Sequence, residues 1–183
     1  MIYGNHVRLR AIEREDIPAF LRWFNDPEVR EGLSMFAPVG RADEERWFET
    51  LANRTTDHVF AVEALIETEA RWVHIGNVGL HKIDWRNRHC AFGIALGEKA
   101  YWNRGFGTEA TRTIVRFAFR ELNLHRVELE VLDFNKRAIR AYEKAGFRHE
   151  GTRRDGYFQD GRYHDAHIMA ILADEFSDDA PAA

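Results

Sequence analysis

Residues 101 to 110 read YWNRGFGTEA and place two glycines, Gly105 and Gly107, with Arg104 beside them, directly ahead of a helical pattern. Glycine lets backbone N–H groups curl inward, and a helix N-terminus adds positive partial charge. Together they suit an anion such as a pyrophosphate, with a purely steric turn as the plain alternative. Two other phosphate loops are excluded. No Gly-Lys-Ser/Thr ends the stretch as in a nucleoside triphosphatase, and no acidic ribose ligand ends a following parallel strand as in a dinucleotide fold. In NKRAIRAYEKAGF, Asn135 opens a second helix and Tyr142 lies about two turns along the same face. On local grounds Asn135 is a cap, and Tyr142 is a core tyrosine in a stripe with Ala138, Ala141 and Ala145. Arg140 reads as solvated, while Arg137 and Lys144 are open between a solvated face and a nucleotide phosphate. His164 and His167 in HDAH face opposite sides of a strand, so no metal site is expected. Cys90 alternates with Phe92 as buried filler, with no His-acid pair to activate it.

Several elements must hold these residues. HVRLRAI (6–12) alternates as a half-buried strand, and EDIPAFLRWFND switches to helical spacing at Ile17, Phe20, Leu21 and Phe24. Beyond a loop with Gly32, Pro38 and Gly40, RADEERWFETLAN repeats the helical pattern. HVFAVEAL (58–65), WVHIGNVGLHKI (72–83) and HCAFGIALG (89–97) read as an antiparallel meander, with Gly76 and Gly79 marking a bulge or bend. The glycine motif then opens a helix running to about Leu122. VELEVLD (127–133) alternates as a strand, a capped helix runs from Asn135 to a stop at Gly146, and a last hairpin turns at QDG (159–161). The order predicts an α/β fold with about seven strands and four helices. Its mixed sheet is antiparallel at first and parallel around the fourth and fifth strands.

Composition bounds the function. The 183 residues are 45% hydrophobic, enough for one sizeable core, and residues 1–176 are expected to form one domain with 177–183 as a flexible tail. Thirty acids against 26 Lys and Arg leave a net charge of −4, so no global basic surface invites nucleic acid or membrane. A single cysteine and an N-terminus without an apolar run fit a cytoplasmic setting.

The stretches WNRGFGTEA, NKRAIRAYEKAGF and GYFQDGRYHDAHIMAIL resemble the GNAT acetyltransferase superfamily, in the branch of RimJ/RimL-type ribosomal-protein and spermidine N-acetyltransferases. The similarity extends to VRLRAIEREDIPAFLRWFNDPEV at the start. It implies an acetyl-CoA-dependent N-acetyltransferase, with acetyl-CoA as the donor and no metal. The coenzyme would be held by Asn103, Arg104, Gly105, Phe106, Gly107 and Thr108, by Asn135, and by fourth-strand backbone. An N–H at Ile94 or Leu96 would polarise the acetyl carbonyl. Tyr142 matches the tyrosine that protonates the departing thiolate. Trp102 stands where the general pattern has Gln or Arg, as is common in the RimJ-like branch.

The resemblance leaves the general base open, because CAFGIAL carries Phe92 where many relatives carry a glutamate. With an alkyl ammonium pKa near about 10, roughly one acceptor molecule in a thousand is neutral at pH 7, which water can sustain. Glu63, His81 and Asp84 are further candidates. Met35 and Phe36, Trp85 and Tyr157 are expected to line the acceptor pocket. The acceptor is a small-molecule or peptide amine: a protein N-terminus, a polyamine or an amino sugar. The oligomeric state is left between monomer and homodimer. Two alternatives are a non-catalytic acyl-CoA-binding or regulatory module on the same fold, and a nucleotide-binding protein.

Overall fold

In a computed structural model, which describes residues 1–33 and 35–178, one eight-stranded sheet runs in the order β1-β2-β3-β4-β5-β6-β8-β7. Its strands are β1 (Ile2–Tyr3), β2 (Val7–Ala11), β3 (His58–Ile66), β4 (Arg71–Asp84), β5 (His89–Leu96), β6 (Arg126–Leu132), β7 (Arg148–Gln159) and β8 (Arg162–Leu172). The helices are α1 (Ile17–Phe24), α2 (Pro27–Arg30), α3 (Arg41–Leu51), α4 (Phe106–Arg120) and α5 (Lys136–Ala145). Two short elements add to the sequence expectation. β1 is a two-residue strand pairing Ile2 with Leu9. α2 is a single turn started by Pro27 and capped by Asp26, whose carboxylate accepts the Glu28 N–H. Neither is long enough to show a hydrophobic period.

Alternation in β2 sorts its side chains to two faces. Val7 and Leu9 are fully buried with Ile75, Val78 and Leu80 against the apolar stripe of α4, Ala110, Ile114 and Ala118. Arg8 and Arg10 point the other way, toward α1. There Glu63 accepts from both (2.5 and 2.8 Å), and Asp16 takes two hydrogen bonds from Arg10 (2.7 and 2.8 Å) and one from His74 (3.1 Å). A second apolar cluster of Phe20, Trp23, Phe24 and Val29 closes that face. The bulge expected near Gly76 falls at Ile75, where the β3–β4 register shifts. Gly76 lies so close to β5 that a Cβ would sit 2.1 Å from the Ala95 carbonyl.

The parallel pair is short. β5 meets β6 only at His89↔Arg126, Cys90↔Val127 and Ala91↔Glu128. Beyond that point β5 stays with β4 as far as Leu96, and β6 stays with β8 as far as Leu132. The two strands therefore part, and a gap opens toward their carboxyl ends. The first two residues of the expected tail contact α4. Arg112 donates to the Ser177 carbonyl (2.6 Å) and Arg120 pairs with Asp178 (3.2 Å), so 177 and 178 are tied to α4. Residues 179–183 lie outside the described residues.

Candidate active site

The gap leads into a cleft of about 1010 Å³, large enough for an extended organic ligand. Its floor is β5. Gly97 N–H donates back to Ile75 O (3.0 Å), whereas Leu96 O turns the other way and accepts Trp102 Nε1–H (2.7 Å). A residue's N–H and C=O leave an antiparallel strand by the same edge, so Leu96 and, two residues earlier, Ile94 present their amides toward the gap.

One end of the cleft is the glycine stretch. Asn103 (φ 59°) and Gly105 (φ 86°) both take the left-handed conformation, and no side chain caps α4. The Glu109 N–H, on Gly105 O at 3.0 Å, is the first of this turn to find a backbone acceptor within the helix, which leaves the amides of Phe106, Gly107 and Thr108 at an uncapped N-terminus. A Cβ on Gly107 would stand 3.3 Å from Leu96, so β5 and the helix start are in close contact. Arg104 folds over Tyr101 and Phe106, 5.3 and 5.4 Å from the ring centroids. Arg137, one of the open cases, stacks on Trp102 at 3.7 Å. Desolvation pulls its guanidinium below the ordinary arginine value, against the pull of Glu28 and Glu31. Arg140, expected to be solvated, is exposed and also lines the cleft, as does Lys144.

The wall facing β5 is α5. Asn135 Oδ1 caps it by accepting the Ala138 N–H (3.1 Å), which turns Nδ2 toward Gly32. Tyr142 is 8% exposed, and burial raises its phenol well above the ordinary value. Its ring meets the edges of Phe92 (5.8 Å) and Phe147 (6.0 Å). Tyr142, Asn135 and Gly32 also border a second cavity of about 70 Å³, lined further by Glu130 and Tyr157.

The structure thus gathers Ile94, Leu96, residues 103–108, Asn135 and Tyr142 around one cleft, with Tyr157 on the adjoining cavity. Three residues expected at the acceptor pocket line neither cavity. Trp85 sits on the β4–β5 turn at the far end of β5, 51% exposed. Phe36 is 89% exposed and Met35 packs beneath α1. Arg30 holds both carbonyls, at 3.4 Å for Met35 and 2.5 Å for Phe36, so the lining falls to Val29, Gly32 and Leu33 just upstream.

The three side-chain base candidates also lie elsewhere. Glu63 is held by Arg8 and Arg10, and those arginines depress its pKa despite burial. His81 shares a face with Ala91, opposite to Phe92, and lies 3.7 Å from Asp57. Burial there pulls the imidazole below its usual value. Asp84 ties the β4–β5 turn through the Arg86 and Asn87 amides. Cys90 is fully buried and its thiol is pushed up to about 12 by desolvation. His164 faces Asp133 (3.5 Å) and His167 faces Thr152 (3.0 Å), and no metal-holding group of His, Cys, Asp or Glu occurs among the described residues.

Residues 6–148 match the model of the acetyltransferase (GNAT) domain family. The chain belongs to that family and is an acetyl-CoA-dependent N-acetyltransferase. It is 32% identical to a Bacillus subtilis protein named Probable N-acetyltransferase YjcK, covering 94% of this chain and 97% of the other. It is 29% identical to spermidine N(1)-acetyltransferase of Vibrio cholerae, over 94% and 96%. Among solved structures, spermidine N-acetyltransferase from Vibrio cholerae in complex with CoA and spermine superposes with a TM-score of 0.84 at 26% identity, covering 93% and 97%.

Proposed function

We propose that the protein acetylates a small cationic amine by direct attack within the β5–β6 gap, with Tyr142 as the proton donor. The observation that carries this is the position of Tyr142, almost buried, on the border of both cavities. Ile94 and Leu96 N–H offer donors to the oxygen on which charge gathers as the amine nitrogen closes on the acetyl carbon. The uncapped turn at 106–108, with Asn135 Nδ2, serves the diphosphate and pantetheine of the donor. The C–S bond breaks as the C–N bond forms, and Tyr142 gives its proton to the sulfur. Its raised pKa keeps that proton in place until the thiolate forms. The amine's proton is assigned to water: Phe92 fills the place of a carboxylate, none of Glu63, His81 or Asp84 borders the cleft, and of the groups that do, Glu109 is engaged by the His6 and Val7 amides while Glu67 lies beside the His6 ring.

A polyamine is the acceptor class this reading favours, supported by the Vibrio cholerae relative and by a carboxylate, Glu130, on the small cavity. Single-domain organisation and a cytoplasmic setting belong to the same proposal, the latter supported by the buried, unpaired Cys90. Among the described residues no helix is long and apolar enough to cross a membrane. Tyr142→Phe tests the reading by thiol release and calorimetry. Retained coenzyme affinity with a loss of kcat of about 10²-fold or more supports it; unchanged turnover removes Tyr142 from the reaction.

A further inference from the structure

The two cavities differ in charge. The large cleft is bordered by Arg104, Arg137, Arg140 and Lys144 as well as by Glu67 and Glu109, whereas no Lys or Arg lines the small one and its single carboxylate is Glu130. Glu130 is the exposed residue of β6 and is held by Arg153 of β7, in a two-pronged contact of 2.8 and 3.0 Å. The contact lies beside an irregularity. Between Arg153 and Tyr157 the β7–β8 register shifts, leaving Arg154, Asp155 and Gly156 unpaired. Asp155 takes φ 50° and its N–H binds Asp165 Oδ1 (2.9 Å). A Cβ on Gly156 would meet the Arg153 side chain at 2.9 Å. Bulges of this kind re-aim side chains beside active sites, and this one lies between Arg153, still in register opposite Ala166, and Tyr157 on the cavity.

We infer that Glu130 receives a second cationic group of the acceptor, and that Arg153 is a resident competitor which that group displaces. This rests on the acetyl-transfer reading above. Arg153 is the chain's own example of what the Glu130 carboxylate binds. The pair is easily exchanged, because both side chains are half-exposed, 51% and 55%, and such surface pairs contribute little to stability. An acceptor with one amine has nothing to set against Arg153 and gains nothing from Glu130. One with a second ammonium or guanidinium replaces the guanidinium at Glu130 while its reacting amine reaches toward Tyr142, which borders the same cavity. Selectivity then comes from a competition in which only a doubly cationic acceptor takes part.

The test compares wild type, Glu130→Gln and Arg153→Ala by thiol release with propylamine, 1,4-diaminobutane and the dipeptide alanyl-lysine. Glu130→Gln is expected to raise KM about tenfold or more for at least one of the two dications, with kcat and the propylamine KM within about twofold. The dication that responds names the source of the second charge. Arg153→Ala is expected to lower the same KM, and the salt dependence of that KM should vanish in Glu130→Gln. The inference is overturned if Glu130→Gln leaves both dications unchanged or raises the propylamine KM equally. It is also overturned if kcat falls for every amine with a shifted pH profile, which would make Glu130 a proton acceptor instead. Wild-type turnover indifferent to Glu130 removes this inference alone, whereas absence of thiol release with any amine removes the acetyl-transfer reading and this inference with it. Unfolding midpoints of the two variants close to wild type show that they fold.

Discussion

The ring of Phe92 meets that of Tyr142 edge to face, 5.8 Å between centroids and 85° between planes, with Phe147 closing the third side. An apolar cage therefore occupies the place where many relatives in the resemblance carry a strand glutamate. Phe92→Ala should lower stability by about 3–5 kcal/mol, as cavity-forming changes at buried phenylalanines do. Phe92→Glu should lower it further, since the carboxylate would have no partner there, and should not raise the acetylation rate. Urea unfolding with thiol-release assays checks both. A faster Phe92→Glu enzyme would show that a base is missing and that water does not suffice.

The same cage sets a pH dependence. Burial raises the Tyr142 phenol above its ordinary value near about 10, so the proton-donating form persists to higher pH than in water. The acceptor meanwhile becomes more reactive as it loses its own proton. The profile of kcat/KM should climb about tenfold per pH unit through neutrality and show no falling limb below about pH 10. A descent between pH 8 and 9 would assign the proton donor elsewhere.

Asp16 gives the opposite slope in stability. Burial acts to raise its pKa, but Arg10, His74 and the Glu13 N–H outweigh it and hold the carboxyl far below the usual range; Glu63 is lowered by the same arginine and Arg8. A carboxylate depressed on folding adds stability above its unfolded pKa, near about 4, and that contribution is lost as pH falls through the folded value. The Asp16 and Glu63 contribution should therefore be constant from pH 7 to 5 and drop below about 4, while the depressed His81 imidazole adds a shallow loss as pH falls below about 6.5. Asp16→Asn should remove part of that drop and cost about 3–5 kcal/mol at neutral pH, because Arg10 keeps its burial without its main partner.

The strands, helices and turn residues around the site were legible because their signals are local: period two at 127–133, period 3.6 in α4 and α5, Asn135 and Gly146 at the ends of α5. The meeting of Asn135 and Tyr142 on one wall follows from helical spacing alone. Other parts of the site depend on contacts between residues far apart in the chain. Nothing in the spacing of Trp102 and Arg137 announces their stacking, and Glu130 alternates like any surface residue of β6. Met35 and Phe36 were displaced from the expected pocket because α2, a single turn, redirects the chain before them. Glu63 looked free because its partners Arg8 and Arg10 lie on another strand.

Trp102 joins the glycine loop to β5 through its bond to Leu96 O and supports Arg137 from beneath. Trp102→Phe removes the hydrogen bond, worth about 1 kcal/mol, and weakens the cation–π contact by a similar amount. The expected result is an acetyl-CoA KM raised about tenfold with kcat within about twofold. A fall in kcat at unchanged KM would place Trp102 with the reacting atoms instead.

Glycine-to-alanine changes at two positions near the cleft should fail for different reasons. Gly105 has open space around its Cβ site but sits at φ 86°, so Gly105→Ala meets strain of about 1–2 kcal/mol and no clash. Relaxing that strain turns the 106–108 amides away, and coenzyme affinity should fall more than global stability. At Gly97 a Cβ would lie 2.0 Å from the Trp23 ring, in a cluster with no room to give. Gly97→Ala should cost about 1–3 kcal/mol of stability by overpacking. Its coenzyme affinity, measured well below the unfolding midpoint, should stay closer to wild type than that of Gly105→Ala. Calorimetric titration of both variants decides the point, and equal losses of affinity would mean that the loop and the Trp23 cluster move as one unit.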